Sequence, residues 1–186
     1  LGKVEKQDVP AYVARSLKTL LGKDFEKVYG EIHDVSADKG KLIAQYKAKI
    51  FSPAMEKADA SRGRAIYRRT CAACHVMYGE GGKIGPELTG SNRADADYLL
   101  LNVIDPNYDV PEGYRLVTIT SKSGQVFAGN IAEEDDSKIV LTMVGQKSVI
   151  AMADIKSRVT AKISLMPEGL LLTLKDNEFL DLIEYL

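Results

Sequence analysis

The sequence is poor in several residue types that usually carry chemistry or hold a fold together. Its 186 residues include two cysteines, two histidines and no tryptophan. Two cysteines cannot build the disulfide framework that stabilises many small secreted domains. The formal net charge is −1, so no basic surplus points to nucleic acid or to an anionic membrane surface. The longest apolar stretch, Leu99 to Ile104, is far shorter than the roughly 20 residues that span a bilayer.

What is present suits an ordinary folded protein. Hydrophobic residues make up 45% of the chain and charged residues 27%, which is typical of globular domains. The length fits one or two domains with a buried core. The chain begins at Leu1 rather than at methionine, so we expect a processed or excised piece of a longer protein whose signal peptide is absent.

Both cysteines and one histidine fall in a single stretch, Cys71-Ala72-Ala73-Cys74-His75. This Cys-x-x-Cys-His spacing is the signature of covalent c-type haem attachment. Two thiols about one helical turn apart can add to the two vinyl groups of one porphyrin, and the next residue brings an imidazole beneath the iron. We therefore expect one haem c, held by Cys71 and Cys74, with His75 as an axial ligand.

Two other kinds of site use a Cys-x-x-Cys pair. A thioredoxin-like dithiol follows a first strand in an α/β chain, whereas the residues before Cys71 are typical of a helix. A structural zinc site needs four ligands. Cys71, Cys74 and His75 leave only His33 or a carboxylate as the fourth, so both alternatives are weaker than haem.

The opposite face of the iron needs its own ligand or an open position. Among five methionines, Met77 lies too close in sequence to the first axial ligand to cross the ring. Met143 and Met152 fall in predicted strands, where we expect them to pack in the core. Met166 precedes a proline in a predicted loop, and the proline stiffens that backbone. We predict Met166 as the sixth ligand, with water or His33 as the alternatives.

Hydrophobic periodicity predicts an α+β fold. We expect an N-terminal helical segment or linker over residues 1–56, followed by a mainly α-helical domain over 57–186 that a small antiparallel sheet or barrel interrupts at about 113–162. Cys74 and Met166 are 92 positions apart, and looping out this 50-residue insertion leaves about 42, a length suited to wrapping one haem. The predicted helices cover about 8–21, 25–32, 36–52, 60–70, 94–104 and 176–186. The predicted strands cover about 114–120, 125–131, 138–143, 148–152 and 157–160.

Several stretches together resemble class I cytochromes c. They are Gly63 to His75, Gly85-Pro86-Glu87-Leu88-Thr89-Gly90, Ile104-Asp105-Pro106-Asn107, and Ser164-Leu165-Met166-Pro167-Glu168-Gly169-Leu170. More narrowly, the chain resembles the planctomycete-type haem-binding domain family, in which a cytochrome c core ends large extracytoplasmic proteins. The resemblance covers about residues 40–186, including the β insertion, and is only weak over the first 40.

The resemblance implies roles for individual residues. The carbonyl of Pro86 would accept the Nδ1 proton of His75, and Gly63 and Tyr67 would contact the last helix. Arg93 would pair with a haem propionate, although a solvated surface arginine is nearly as good an interpretation. The residues expected to line the haem pocket are Ile84, Leu88, Tyr98, Leu99 and Leu165.

These observations favour a one-electron carrier rather than an enzyme. Covalent haem with histidine and methionine ligands changes oxidation state without changing ligands, and no nucleophile–base pair can be placed. We expect a periplasmic or otherwise extracytoplasmic protein that accepts electrons from a fused or partner dehydrogenase and passes them to a downstream cytochrome or oxidase. The alternatives are a haem-based sensor or gas-binding module with a labile sixth ligand, and a β-module that binds a partner and carries an incidental metal site.

Overall fold

A computed structural model of the chain describes residues 11–29, 35–108 and 110–186. The fold is α+β, as predicted. The helices in the described part are α1 (Ala11–Leu21), α2 (Lys23–Tyr29), α3 (Ala37–Ile50), α4 (Ala60–Thr70), α5 (Ala96–Ile104) and α6 (Asp176–Tyr185). The strands are β1 (Val76–Met77), β2 (Glu80–Gly81), β3 (Arg115–Ser121), β4 (Val126–Glu134), β5 (Lys138–Met143), β6 (Gln146–Ala151) and β7 (Ile155–Ser164).

Side-chain caps define where the central helices begin. The Ser36 hydroxyl accepts from the amide of Lys39 at the start of α3, and Asp59 accepts from the amide of Arg62 at the start of α4. Both satisfy an amide that has no partner within the helix. The last helix begins at Asp176, where the sequence predicts its start.

Helix α3 shares a hydrophobic core with α5 and α6. Tyr46 of α3 meets Phe179 of α6 edge to face, with ring centroids 4.7 Å apart, and both rings are buried. Leu100 and Ile104 of α5 complete this cluster. The N-terminal part of the chain therefore contributes directly to the packing of the helical core.

Helices α4 and α6 cross at very short distance, and Gly63 is the reason. A Cβ atom at Gly63 would lie 1.9 Å from the carbonyl oxygen of Asp181 and 2.7 Å from the Cβ of Tyr185. Next to the crossing, Tyr67 packs its ring 5.5 Å from that of Tyr185. The buried carboxylate of Asp181 accepts two hydrogen bonds of 2.7 Å from the Arg62 guanidinium. The predicted meeting of Gly63 and Tyr67 with the last helix is thus present.

The five longer strands form one antiparallel sheet in the order β6-β5-β4-β3-β7. Its inner face is an aliphatic core that includes Ile119, Leu141 and Ile150. The edge strands are β6 and β7, so the open-sheet form of the prediction is the one observed. Met143 and Met152 are each 38% exposed, which corrects the expectation that they pack in the core.

The two ends of the sheet insertion meet, because β3 pairs with β7. Arg115 lies opposite Ser164 in this register, so the chain leaves and re-enters the helical part at nearly the same place. The amide of Ser164 then donates to Oδ1 of Asn107 at 2.8 Å, close to the end of α5. The insertion is therefore looped out, and the residues after Ser164 return beside α5.

Two further predictions concern the chain around these elements. No strand is predicted between residues 75 and 94, but strands β1 and β2 pair there. Two-residue strands are too short to give an alternating pattern. The predicted helix start at Asp8, and His33, lie outside the described residues. No helix in the described part of the chain is long and apolar enough to cross a membrane.

Candidate functional site

The two cysteines sit at the end of α4, where the helix finishes in one more turn. Cys71 is the residue that follows the helix, and its carbonyl accepts from the amides of Cys74 and His75 at 3.0 Å each. This turn brings the sulfur-bearing residues and His75 to the wall of one cavity. Neither cysteine takes part in a disulfide bond.

His75 is fixed through both its ring and its backbone. Its Nδ1 lies 2.8 Å from the carbonyl oxygen of Pro86, which is the contact that the sequence resemblance implied. A carbonyl can only accept, so Nδ1 carries the proton and Nε2 keeps a lone pair available for a metal. The hydroxyl of Tyr67 donates to the His75 carbonyl at 2.7 Å, and burial raises the pKa of Tyr67 to about 12, so this donor keeps its proton.

A glycine allows the following loop to lie against the imidazole ring. A Cβ atom at Gly85 would be 2.5 Å from Cε1 of His75, closer than any side chain tolerates. The amides of Ile84 and Gly85 both donate to the carbonyl of Cys74, at 3.1 and 2.8 Å. The loop therefore packs flat on the ring and presents the Pro86 carbonyl to it.

The pocket-lining and ligand residues predicted above line one largely apolar cavity. Met166, which is distant in sequence, lines the same cavity as His75. The other nominated residues on its wall are Cys71, Cys74, Ile84, Pro86, Leu88, Arg93, Tyr98, Leu99 and Leu165. The turn after α4, the loop after His75, helix α5 and the segment after β7 supply them, so the site is assembled from four parts of the chain.

The cavity also contains residues that sequence reasoning missed. Asn130, on strand β4, is the most informative, because it brings the inserted sheet into the wall. Its Nδ2 donates to the carbonyl of Ile84 at 3.0 Å, while its buried Oδ1 has no partner among the described residues. A single asparagine in an alternating strand gives no sequence signal of such a contact.

Arg93 does not lie free at the surface. Its guanidinium donates to the carbonyls of Leu186 and, at 3.1 Å, Thr89, and it stacks 5.5 Å from the Tyr78 ring. Its buried Nε has no hydrogen-bond partner in the described part of the chain. The cavity wall therefore offers one unsatisfied cationic donor, which suits an anionic group of a ligand.

The environment of the cysteines does not favour thiolate chemistry. Burial raises the pKa of the Cys71 thiol to about 11 and also raises the pKa of Cys74. Redox dithiols and zinc ligands depend on thiolates, which proteins stabilise with nearby cations or helix N-termini. Here the pair follows the C-terminal end of a helix, where the helix dipole disfavours an anion.

Comparison with known proteins points to the same chemistry. Residues 58–112 match the family described as cytochrome c oxidase, cbb3-type, subunit III. A cytochrome c of Cochliobolus lunatus is 50% identical over 36 residues, which are 19% of this chain and 33% of that protein. A cytochrome c-553-like protein of Synechocystis sp. (strain ATCC 27184 / PCC 6803 / Kazusa) is 43% identical over 49 residues, 26% of this chain and 46% of that protein.

Residues 58–112 are a segment similar to c-type cytochromes. Its cofactor is haem c, attached covalently through the Cys71–Cys74 pair. The chain spans less than half the length of the curated relatives it matches, and Met166 and the sheet lie outside the family match. A solved structure of the pleiotropic translational regulator Hfq is 21% identical, with a TM-score of 0.24, over 38% of this chain and 97% of that one; a likeness this low carries no information on fold or function.

The cavity fits this cofactor on its own geometry. His75 directs an unprotonated nitrogen away from Pro86, Gly85 has no side chain to crowd the ring, and Arg93 has an unsatisfied donor. The remaining wall is mainly aliphatic and aromatic, as a porphyrin face requires.

Proposed function

We propose that this chain is an electron-transfer domain whose haem iron is held between His75 and Met166. The observation that carries the proposal is that Met166 lines the same cavity as the Cys71–His75 segment, although about 90 residues separate them. A haem with these two ligands exchanges one electron without changing its coordination. The finer resemblance to the planctomycete-type haem-binding domain family belongs to this proposal as well.

The protein residues have separate tasks in this mechanism. Pro86 holds the imidazole of His75 in one tautomer and makes it a better donor to the metal. Leu88, Leu99 and Leu165 exclude water from the porphyrin faces, which lowers the local dielectric around a changing charge. Arg93 supplies positive charge at the cavity wall, where a haem propionate would accept from its free Nε–H.

The same proposal includes the location of the protein, the bounds of its haem domain and its redox partners. Covalent haem attachment takes place outside the cytoplasm, so we place the protein in the periplasm or another extracytoplasmic compartment. Residues 57–186 form the haem domain with a β insertion at about 113–162, and residues 1–56 precede it as a helical segment. A fused or partner dehydrogenase donates electrons, and a cytochrome or oxidase accepts them.

The visible spectrum of the haem-loaded chain tests the ligand assignment. Methionine–iron coordination in cytochromes c gives a weak long-wavelength band in the ferric state, and Met166→Ala should abolish it. Met143→Ala is the matched control, because Met143 is a half-exposed methionine on the sheet and should leave the band unchanged. An unaltered spectrum in Met166→Ala would refute the assignment and favour a different or absent sixth ligand.

A further inference from the structure

One side chain, Asn107, holds the loop of Met166 on both sides. Its Oδ1 accepts from the amide of Ser164 at 2.8 Å, and its Nδ2 donates to Oε1 of Glu168 at 2.9 Å. Ser164 and Glu168 lie two residues before and two residues after Met166. The two anchor points therefore bracket Met166, which lines the cavity.

The loop between these anchors is itself restrained. The hydroxyl of Ser164 accepts from the amide of Met166 at 3.0 Å. Pro167 fixes the next backbone φ angle. Since the amide of Met166 is hydrogen-bonded and the next residue is ring-constrained, the position of Met166 depends on whether the two anchors stay in place.

The second anchor is tied to the N-terminal part of the chain. Lys39, in the first turn of α3, places its Nζ 2.8 Å from Oε1 of Glu168 and 2.7 Å from Oδ1 of Asp105. Asp105 follows the last residue of α5, and its side chain is only 11% exposed, against 26% for Lys39. Water screens a partly buried ion pair less than a surface pair. The pair between Lys39 and Asp105 is therefore stronger than the exposed ion pairs elsewhere on α3.

We propose that Asn107 and Lys39 are positioning residues for Met166, and that they control how readily another ligand replaces it on the haem iron. The inference rests on the proposed ligation by Met166. Asn107 links the two sides of the loop, and Lys39 joins that loop to α3 and to the end of α5. Helix α3 therefore takes part in setting the coordination of the iron, in addition to packing on the core.

Imidazole is the probe that tests this role, because it competes for the iron position that Met166 occupies. The full haem-loaded chain is titrated with imidazole in the ferric state and followed by its visible spectrum. Asn107→Ala removes both hydrogen bonds to the Met166 loop, and Lys39→Met removes the hydrogen bonds to Glu168 and Asp105. Imidazole should therefore bind roughly tenfold more tightly to each variant.

Lys47→Met is the matched control. Lys47 also lies on α3 and also forms an ion pair, with Asp97 at 2.7 Å, but this pair is more exposed and does not involve the Met166 loop. Its imidazole affinity should stay within about twofold of the parent protein. Asn107→Asp adds a second test, because it keeps the acceptor for Ser164 but turns a carboxylate toward Glu168; it should tighten imidazole binding as Asn107→Ala does.

The outcomes separate this inference from the ligand assignment. If Met166→Ala removes the long-wavelength band and opens the iron to imidazole, while Asn107→Ala and Lys39→Met behave like Lys47→Met, the ligation stands and the positioning role is wrong. If Met166→Ala changes neither, the ligation itself is wrong. Where Asn107→Ala does not fold, Lys39→Met, which keeps the length of the side chain, decides the question.

Discussion

Adding one methyl group at the α4–α6 crossing should destabilise the whole helical core. In Gly63→Ala the new Cβ would lie 1.9 Å from the backbone oxygen of Asp181, and contacts below 3.0 Å are essentially never found for a Cβ atom. The nearest obstacle is backbone, so no rotamer change can relieve the overlap. The two helices must move apart by about 1 Å, which also disturbs the paired Arg62 and Asp181 side chains.

The expected cost combines three effects. Overpacking against a rigid neighbour costs about 3 kcal/mol, the upper part of the usual range. Weakening the hydrogen bonds between the exposed Arg62 guanidinium and the buried Asp181 carboxylate adds about 1 kcal/mol. Replacing glycine by alanine inside a helix returns about 1 kcal/mol. The free energy of unfolding should therefore fall by about 3 kcal/mol, a large part of the 5–15 kcal/mol typical of a domain.

Urea denaturation of the haem-loaded chain, followed by circular dichroism, measures this change. Gly40→Ala is the matched control, since Gly40 also lies inside a helix but nothing is found within 4 Å of its Cβ position. That variant should be more stable than the parent by up to about 1 kcal/mol. If Gly63→Ala were as stable as Gly40→Ala, the close helix crossing described here would be refuted.

Three other substitutions test the imidazole contact, the sheet contact and the buried carboxylate. Gly85→Ala places a Cβ 2.5 Å from the ring of His75, so we expect an altered haem spectrum and a lower yield of haem-loaded protein; an unchanged spectrum would show that the loop does not lie on the ring. Asn130→Ala removes a 3.0 Å hydrogen bond to the carbonyl of Ile84. The free energy of unfolding measured in urea should fall by about 1 kcal/mol, and an unchanged value would contradict that contact. Hydrogen bonds from Arg62 hold the pKa of Asp181 below its ordinary value of 3.8. The ionised carboxylate therefore stabilises the folded state fully above about pH 4, and this stabilisation is lost as the pH falls through the lowered pKa. The urea midpoint should fall more steeply with acidification in the parent than in Asp181→Asn, and equal slopes would refute the pairing.

Local patterns were sufficient to predict most elements of the fold. Strand β5 was predicted over the residues it occupies, because a short run of aliphatic and β-branched residues is visible in the sequence itself. The starts of α3 and α4 were predicted within one residue of where they lie, since a helix start depends on residues within one helical turn. Strands β1 and β2 were missed, because two residues cannot show a period.

The candidate site could be predicted only in part. The Cys71–His75 segment was identified from spacing alone, since attachment to one porphyrin fixes the order of these residues. The roles of Pro86 and Arg93 were predicted from the resemblance to cytochromes c. Both residues line the cavity, although Arg93 already has hydrogen-bond partners within the protein. Asn130 was not predicted, because its contact with Ile84 depends on how the sheet folds back onto the loop.

The sequence by itself determined that a haem is attached and where the longer helices and strands lie, because both depend on residues close together in the chain. Only the tertiary structure decided that β3 pairs with β7 and returns Met166 to the cavity of His75. It also decided that Lys39 contacts Glu168 across 129 positions. Such contacts depend on the relative placement of whole elements, which no local spacing records.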